Sequence, residues 1–225
     1  MELIHRDGMY VLELGASENR MNPGWLDGLL AKLDEVEADP GAPLLLHGGG
    51  KFFSNGLDID WLVAHPEDRA GFLTRVHALL ARLLVFPAFT VAAIQGHAFA
   101  AGAMLALACD ARVMRSDRGF MCLPEVDLNL VFTPGMAALI QSKTVPSVAH
   151  EAMVTGRRYT APEALAAGLV DEVVPEEAVV ERALARARAV GPKTPTTLSG
   201  IKGVMYAGAL ARLAGPNEVA LPDVL

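Results

Sequence analysis

The sequence predicts an α/β fold with largely parallel sheets. Short apolar runs of strand type alternate along the chain with longer segments of helical periodicity, and this alternation is typical of parallel strands connected by helices. The chain has 225 residues, 52% of them hydrophobic, which is enough for one domain with a substantial core. The rest is organised around residues 90–110, where we predict a buried strand, a tight turn at Gly96-His97 and a buried helix from about Ala100.

The first half of the chain begins with a hairpin. Residues 2–5 and 9–14 have strand character and flank the turn sequence Arg6-Asp7-Gly8. Asn22-Pro23 then starts a helix that continues to about Val36, because proline is tolerated in the first helical turn. The other predicted elements of this half are a strand at 42–47, a loop that passes into a short helix at 51–60, and a helix at 67–84.

The second half becomes mostly helical after two further strands. These strands are predicted near residues 112–114 and 119–123. The tail from Gly215 has the composition of a loosely ordered segment. The predicted helices are 136–142, 148–154, 162–167, 176–190 and about 196–213, with one strand at 169–174.

Composition excludes several classes of protein. A net charge of −7 argues against a nucleic-acid-binding surface. Cys109 and Cys122 lack metal-binding spacing, so we expect no metal site, no disulfide framework and a reducing compartment. The start of the chain has no apolar signal segment. Residues 83–109 carry no charge, but Pro87 and Gln95-Gly96 interrupt them, which favours a buried strand and helix over a membrane span. We therefore expect a cytoplasmic protein without membrane or nucleic-acid partners.

The helix start at Ala100-Ala101-Gly102 is the first candidate site. The first N–H groups of a helix have no intrahelical acceptor and lie at the positive end of the helix dipole. Because no side chain here is larger than a methyl group, an anionic ligand oxygen could approach these amides closely. The alternative is that small residues only allow the helix and strand to pack together.

Two further segments carry chemically useful residues. In residues 53–58, Gly56 suits a tightly turned backbone and Asp58 is a good helix cap, which would leave the Leu57 N–H pointing out of the loop. Glu125 is the only charge in the apolar run 121–126, so burial should raise the pKa of its carboxyl group. The alternatives are an ordinary glycine turn and an exposed glutamate at the end of a strand.

Together these segments resemble the enoyl-CoA hydratase/isomerase (crotonase) superfamily. The order and spacing of Phe53-Ser-Asn-Gly-Leu-Asp58, Gly96-His-Ala-Phe-Ala-Ala-Gly102 and Leu123-Pro-Glu125 match that superfamily, and the likeness runs from about residue 2 to 190. The stretch from Thr160 to Asp171 also resembles the superfamily's pattern A-x-E-A-x-x-x-G-L-V.

The resemblance implies a fold, a ligand and an assembly. We expect a spiral of ββα units at 1–190, and a short helical region at 191–225 that supports trimer formation or covers the pocket. We also expect a homotrimer or hexamer. The implied ligand is an acyl-CoA thioester without a separate cofactor. Its carbonyl would lie against the backbone N–H groups of Leu57 and Ala101 in an oxyanion hole. The other residues implied in substrate or CoA binding are Arg20, Met21, Ser54, Asn55, Gly56, Asp58 and Gly102.

One departure from the hydratases predicts the reaction. The resemblance implies that hydratases of this superfamily use two glutamates. Met104 occupies the first of these positions in this sequence, and Glu125 occupies the second. A thioether cannot transfer a proton, and a 1,3-proton shift needs only one base. The pattern therefore resembles a Δ3,Δ2-enoyl-CoA isomerase. Hydration, thioester hydrolysis and acyl-CoA binding without turnover remain alternatives.

Several other residues are expected to be structural. His97 adjoins the oxyanion turn and is interpreted as a turn or wall residue rather than a base. Met104, Met114, Met121 and Met136 are interpreted as core residues rather than as the wall of an acyl channel. The chain is short at its C-terminal end compared with the superfamily, so we expect an abbreviated cover over the acyl pocket.

Overall fold

The computed structural model describes residues 1–39 and 41–215, which form two β-sheets surrounded by helices. The strands are β1 (Glu2–Arg6), β2 (Met9–Gly15), β3 (Leu44–Gly48), β4 (Phe52–Ser54), β5 (Thr90–Ile94), β6 (His97–Phe99), β7 (Ala111–Arg115), β8 (Met121–Cys122) and β9 (Glu172–Val174). The α-helices are α1 (Pro23–Glu37), α2 (Ile59–Ala64), α3 (Arg69–Leu84), α4 (Ala101–Ala108), α5 (Pro134–Lys143), α6 (Pro146–Thr155), α7 (Ala161–Ala166), α8 (Val179–Val190), α9 (Pro195–Met205) and α10 (Ala207–Leu213).

The chain winds through three successive ββα units. In each unit the first strand joins a six-stranded sheet of order β1-β2-β3-β5-β7-β9, and the second joins a three-stranded sheet of order β4-β6-β8. The strands of these units pair in parallel within both sheets, whereas β1 and β2, at the edge of the larger sheet, form an antiparallel hairpin. Helices α3, α4 and α5 follow the three strand pairs in turn. The predicted α/β spiral of ββα units, with helices at the C-terminal end, is therefore confirmed.

The two faces of the larger sheet bury different cores, because side chains alternate along each strand. Leu44 and Leu46 of β3 belong to the main core, which contains residues of α1, α3, α4 and α5. Leu45 points to the opposite face and packs in a smaller core with Leu184 of α8. All residues of α4 are buried, as expected for a helix that is apolar all round. Within the described residues, no helix is both long and apolar enough to cross a membrane.

Most predicted elements are present, but two strands were missed and one helix is divided. The hairpin turn is confirmed, with Arg6 opposite Met9. Strands β4 and β6 were predicted as a loop and a turn; each has three residues, too few to show a two-residue period. The single helix predicted at 196–213 is interrupted at Tyr206. The tail predicted to be loosely ordered lies, beyond Gly215, outside the described residues.

A buried lysine attaches α9 to the rest of the protein. Lys202 is the one residue of α9 that is buried, whereas Ile201, Val204 and Met205 are exposed. Its Nζ donates hydrogen bonds to the Asp110 carboxylate at 2.6 Å and to two main-chain carbonyls at 3.0 Å. A buried ammonium group with several acceptors is costly to disrupt, because removal of one partner leaves the others desolvated without compensation.

Replacing Lys202 with alanine should therefore destabilise the protein by about 3 kcal/mol or more. The Asp110 carboxylate and two carbonyl groups would each lose a hydrogen bond inside the protein. Urea unfolding followed by circular dichroism measures this change, and the exposed Lys193→Ala variant is the control, with an expected change within about 0.5 kcal/mol. Equal stability of the two variants would contradict the assignment of Lys202 as an anchor.

Candidate active site

A cavity of about 410 Å³ lies where the 55–62 segment, the start of α4 and residues 122–136 meet. The exposure of the lining residues shows which end of the cavity is closed and which is open. Met104 is 1% exposed and Val131 is 71% exposed, and the charged Asp60 and Arg158 are also exposed. The cavity therefore has a closed apolar end and an open mouth with charged groups. Its lining residues are Arg20, Asn55, Leu57, Ile59, Asp60, Leu62, Leu73, Phe99, Ala100, Ala101, Met104, Cys122, Pro124, Glu125, Leu128, Leu130, Val131, Phe132, Thr133, Met136 and Arg158.

The main-chain amide of Leu57 faces away from its neighbouring strand. Leu57 forms a parallel bridge with Met21. In that bridge Gly56 O accepts from Met21 N at 2.8 Å, and Asp58 N donates to Met21 O at 2.9 Å. Because donors and acceptors alternate in direction along extended backbone, the N–H of Leu57 points to the opposite side. No hydrogen bond in the described part of the chain uses this N–H.

Ala101 supplies a second amide beside the first. It is the first residue of α4, so its N–H has no acceptor within the helix and lies at the positive end of the helix dipole. A Cβ atom placed on Gly56 would lie only 3.2 Å from Ala101 N, which puts the residue before Leu57 directly against this amide. Both Leu57 and Ala101 line the cavity. This arrangement can stabilise an oxygen that gains negative charge.

Five predicted binding residues support the cavity wall but do not line it; they are Met21, Ser54, Gly56, Asp58 and Gly102. Ser54 Oγ donates to Asn19 O at 2.8 Å and accepts from Gly56 N at 3.2 Å. Asp58 caps α2 by accepting from Trp61 N at 3.2 Å. A Cβ on Gly102 would lie 2.3 Å from Ser54 O, so only glycine allows this approach. Their main effect in the structure is to fix the 54–58 loop against α4.

Arg20 and Asn55 lie at the cavity mouth, as part of a charged network. The Arg20 guanidinium contacts Glu18 at 2.5 Å and Asp60 at 2.8 Å. Asn55 Nδ2 donates to Glu18 Oε2 at 3.1 Å. Two carboxylates therefore already balance the charge of Arg20. Arg158, on the cavity wall, instead stacks over the ring of Phe99 at 5.8 Å.

Glu125 presents a buried carboxylate to the cavity. It is 7% exposed, and burial raises the pKa of its carboxyl group to about 7. Its Oε2 atom is buried and has no hydrogen-bond partner within the described residues. The main chain at this position is fixed, because Glu125 O accepts from Leu130 N at 2.8 Å. A carboxyl group with this pKa can both accept and return a proton near neutral pH.

The structure refines the interpretation of two methionines. Met104 and Met136 belong to the buried core, as interpreted, but contrary to expectation they also line the cavity, whereas Met114 and Met121 do not. Arg158 and the apolar residues at 128–133 were not identified as part of the site. They follow no recognisable pattern, and only the tertiary fold brings them to the cavity. His97 does not line it; its ring packs against Phe52 at 5.2 Å and Phe120 at 5.6 Å between ring centroids.

Other reactive groups lie outside this arrangement or are inert. Cys109 and Cys122 are both buried free thiols. Cys122 lines the cavity, but burial raises the pKa of its thiol to about 11, which leaves little thiolate at neutral pH. Within residues 1–39 and 41–215 no cluster of three or more His, Cys, Asp or Glu side chains could hold a metal ion.

This fold, with a buried carboxylate and two amides around an apolar cavity, defines a class of enzymes that act on acyl thioesters. The sequence profile of the enoyl-CoA hydratase/isomerase family matches residues 8–218. The chain belongs to this family, and an acyl-CoA thioester substrate fits it. The predicted resemblance to the crotonase superfamily is confirmed.

Named relatives include both isomerases and hydratases. Enoyl-CoA delta isomerase 1, peroxisomal, of Arabidopsis thaliana is 35% identical over 171 residues, covering 74% of this chain and 71% of the relative. A putative enoyl-CoA hydratase of Thermus thermophilus is 34% identical over 195 residues, covering 84% of this chain and 76% of the relative. The crystal structure of human mitochondrial delta3-delta2-enoyl-CoA isomerase superposes with a TM-score of 0.83 at 27% identity, covering 95% of this chain and 86% of that one.

Because the pKa of Glu125 is raised, the unfolding free energies of the wild type and of Glu125→Gln should differ by an amount that changes with pH. The folded protein holds this proton up to about pH 7, whereas the unfolded chain releases it near the ordinary value of 4.5. More protons are bound in the folded state over that interval, so wild-type stability falls as pH rises through it. Relative to Glu125→Gln, the wild type should lose about 2 kcal/mol of unfolding free energy between pH 5.5 and 8.

Urea unfolding at several pH values measures this difference. Glu163→Gln is the control, because interactions with Thr160 lower the pKa of the Glu163 carboxyl to about 2. Glu163 is therefore ionised in the folded and the unfolded state throughout this interval, and its variant should run parallel to the wild type. A Glu125→Gln curve that also runs parallel to the wild type would exclude a raised pKa at Glu125.

Proposed function

We propose that the protein is a Δ3,Δ2-enoyl-CoA isomerase, which moves the double bond of a cis- or trans-3-enoyl-CoA to give the trans-2-enoyl-CoA. The observation that carries this proposal is a buried carboxylate, Glu125, in an apolar cavity whose wall also holds two amides without acceptors; among the described residues no other buried carboxylate lines this cavity. The other carboxylate on the cavity lining, Asp60, is exposed at the mouth and bound to Arg20. One acid/base group at the closed part of a cavity suits a proton shift within one molecule.

The proposed reaction starts with binding of the thioester carbonyl oxygen by the amides of Leu57 and Ala101. These donors lower the energy of the enolate that forms when the C2 proton is removed, and each is worth about 2.7–4 kcal/mol. Glu125 accepts the C2 proton and becomes neutral. The electrons of the C2–H bond and of the C3–C4 double bond are then delocalised over the dienolate. Glu125 returns the proton to C4, and the double bond now lies between C2 and C3.

The apolar wall supports isomerisation rather than addition of water. Hydration requires one group to activate water and another to protonate carbon. By resemblance, Met104 occupies the position of the first glutamate of the superfamily's hydratases. It lines the cavity with a thioether, which cannot transfer a proton. The Cys122 thiol, with its pKa of about 11, cannot serve as the missing base. An apolar surround also limits capture of the dienolate by water.

Hydration remains the second candidate, because relatives named as hydratases reach 34% identity. Incubation with 3-enoyl-CoA and with trans-2-enoyl-CoA of equal chain length separates the two activities. The proposal predicts conversion of the 3-enoyl thioester to a conjugated product, detected by its ultraviolet absorbance. It also predicts little 3-hydroxyacyl-CoA from the 2-enoyl thioester by mass spectrometry. Hydration that is faster than isomerisation would contradict it.

Isomerisation should depend on ionised Glu125. Because the carboxylate form accepts the proton, kcat/KM should rise about tenfold per pH unit below pH 7 and level off above it. Glu125→Gln should lower kcat by roughly 10²–10⁴-fold, the usual contribution of a general base. The control Asp127→Asn removes a carboxylate two residues away that does not line the cavity, and it should keep wild-type kcat.

Binding of CoA to Glu125→Gln, measured by calorimetry, separates loss of chemistry from loss of structure. We expect the variant to bind CoA like the wild type, since its amide keeps the size of the side chain. A Glu125→Gln variant with full isomerase activity would show that another group is the base.

A further inference from the structure

Ala100, which precedes α4, has a backbone conformation that is unusual for alanine. Its φ is 51° and its ψ is −126°, in a region where the Cβ of an L-residue is strained and glycine is not. The structure describes three other non-glycine residues with positive φ, Asp7, Asn19 and Asn129. Asp and Asn tolerate this half of the φ range better than other residues do. Among these described residues, only Ala100 has a nonpolar side chain, a single methyl group.

The surrounding fold imposes this conformation. Ala100 N donates to Cys122 O at 3.0 Å, which ties it to β8. Ala100 O accepts from Ala103 N at 2.9 Å and from Met104 N at 3.1 Å, which starts α4. Both backbone groups of Ala100 are therefore committed to neighbouring elements. Glycine would satisfy the same bonds without strain, so the backbone alone gives no reason for a methyl group here.

The methyl group lies between the residues that precede the two amide donors. A Cβ atom placed on Gly56 would come within 2.9 Å of the Ala100 Cβ, so this methyl packs directly against the Gly56 backbone. Gly56 is followed by Leu57, and Ala100 is followed by Ala101. Ala100 also lines the cavity. Phe99 O and Ala101 N lie nearly as close to the same point, at 3.0 and 3.2 Å, so the strained methyl group is the nearest of three contacts between the loop that carries one amide and the turn that carries the other.

We propose that Ala100 is a positioning residue whose methyl group fixes the spacing of the Leu57 and Ala101 amides. This inference rests on the proposed role of these amides as an oxyanion hole. Such donors act only when they lie about 2.7–3.1 Å from the developing oxyanion. Removing the methyl would leave a gap beside Gly56 and allow the 54–58 loop to move towards the turn, because a gap of even 0.5–1 Å forfeits much of the packing energy. On this proposal, the backbone strain at Ala100 is tolerated because its methyl group keeps the two amides aligned.

The test compares Ala100→Gly and Ala100→Ser with the wild type on a 3-enoyl-CoA. Glycine relieves the strain but loses the spacer, so kcat should fall by about tenfold or more while KM changes by less than about threefold. The melting temperature should stay the same or rise, because relief of strain offsets the greater flexibility of unfolded glycine. Serine keeps the Cβ atom, so Ala100→Ser should retain kcat within about threefold of the wild type.

A matched alanine-to-glycine control comes from Ala38, which follows α1 with an ordinary φ of −71°. Ala38→Gly should keep wild-type kcat and lower the melting temperature slightly, since it relieves no strain. A wild-type kcat in Ala100→Gly would overturn the inference. An equal loss of kcat in Ala100→Gly and Ala100→Ser would overturn it as well. A clearly lower melting temperature for Ala100→Gly than for Ala38→Gly would contradict the strain on which the inference depends.

A spectroscopic measurement distinguishes failure of this inference from failure of the proposed reaction. Acetoacetyl-CoA ionises to an enolate that absorbs in the near ultraviolet, and aligned amides should raise the enolate fraction on binding. Ala100→Gly should bind CoA like the wild type but give a smaller enolate signal. One outcome separates the two proposals: the wild type raises the enolate signal, Ala100→Gly gives a smaller signal than the wild type, and neither protein turns over 3-enoyl-CoA. In that case the proposed reaction is wrong and the positioning role stands. Identical signals in both proteins would overturn the positioning role.

Discussion

The structure depends on the close contact between the 54–58 loop and the turn that begins α4. A Cβ atom on Gly102 would lie 2.3 Å from Ser54 O, and one on Gly56 would lie 2.9 Å from the Ala100 Cβ, so neither position has space for a side chain. Only residues without side chains allow two backbones to approach in this way. The contact brings an amide from one ββα unit next to an amide from the following unit. The spiral therefore builds one half of the candidate site from main-chain atoms, which do not change with side-chain rotamers.

The other half of the site carries an energetic cost. Burial raises the pKa of Glu125 to about 7, so keeping this carboxylate ionised at neutral pH reduces the stability of the fold. Its Oε2 atom has no hydrogen-bond partner within the described residues, and the main-chain hydrogen bond at Glu125 offsets only part of the effect of burial on the pKa. Such a group would be replaced if stability alone were selected, and a base poised near neutral pH is what a proton shift needs. The strained Ala100 is a second case of a local cost at the same cavity.

Much of the fold and part of the site could be predicted from the sequence. The alternation of apolar runs and helical segments indicated an α/β fold with parallel sheets, whereas the spiral was implied by the resemblance to the crotonase superfamily. Three short motifs indicated Leu57, Ala101 and Glu125. Strands β4 and β6 could not be predicted because three residues show no periodicity. Met104 and Met136 have the same local pattern as core methionines, and only tertiary packing exposes them to a cavity. The conformation of Ala100 is likewise set by partners distant in sequence, such as Cys122 O.

In the proposed reaction Glu125 alone carries a proton from C2 to C4 at the apolar end of the cavity. The most direct measurement uses a 3-enoyl-CoA with deuterium at both C2 positions, incubated with the enzyme in ordinary water. Nuclear magnetic resonance then locates the label in the product. We expect a measurable share of the deuterium removed from C2 to appear at C4. A product whose new C4 hydrogen comes entirely from solvent, or one with oxygen added at C3, would contradict it.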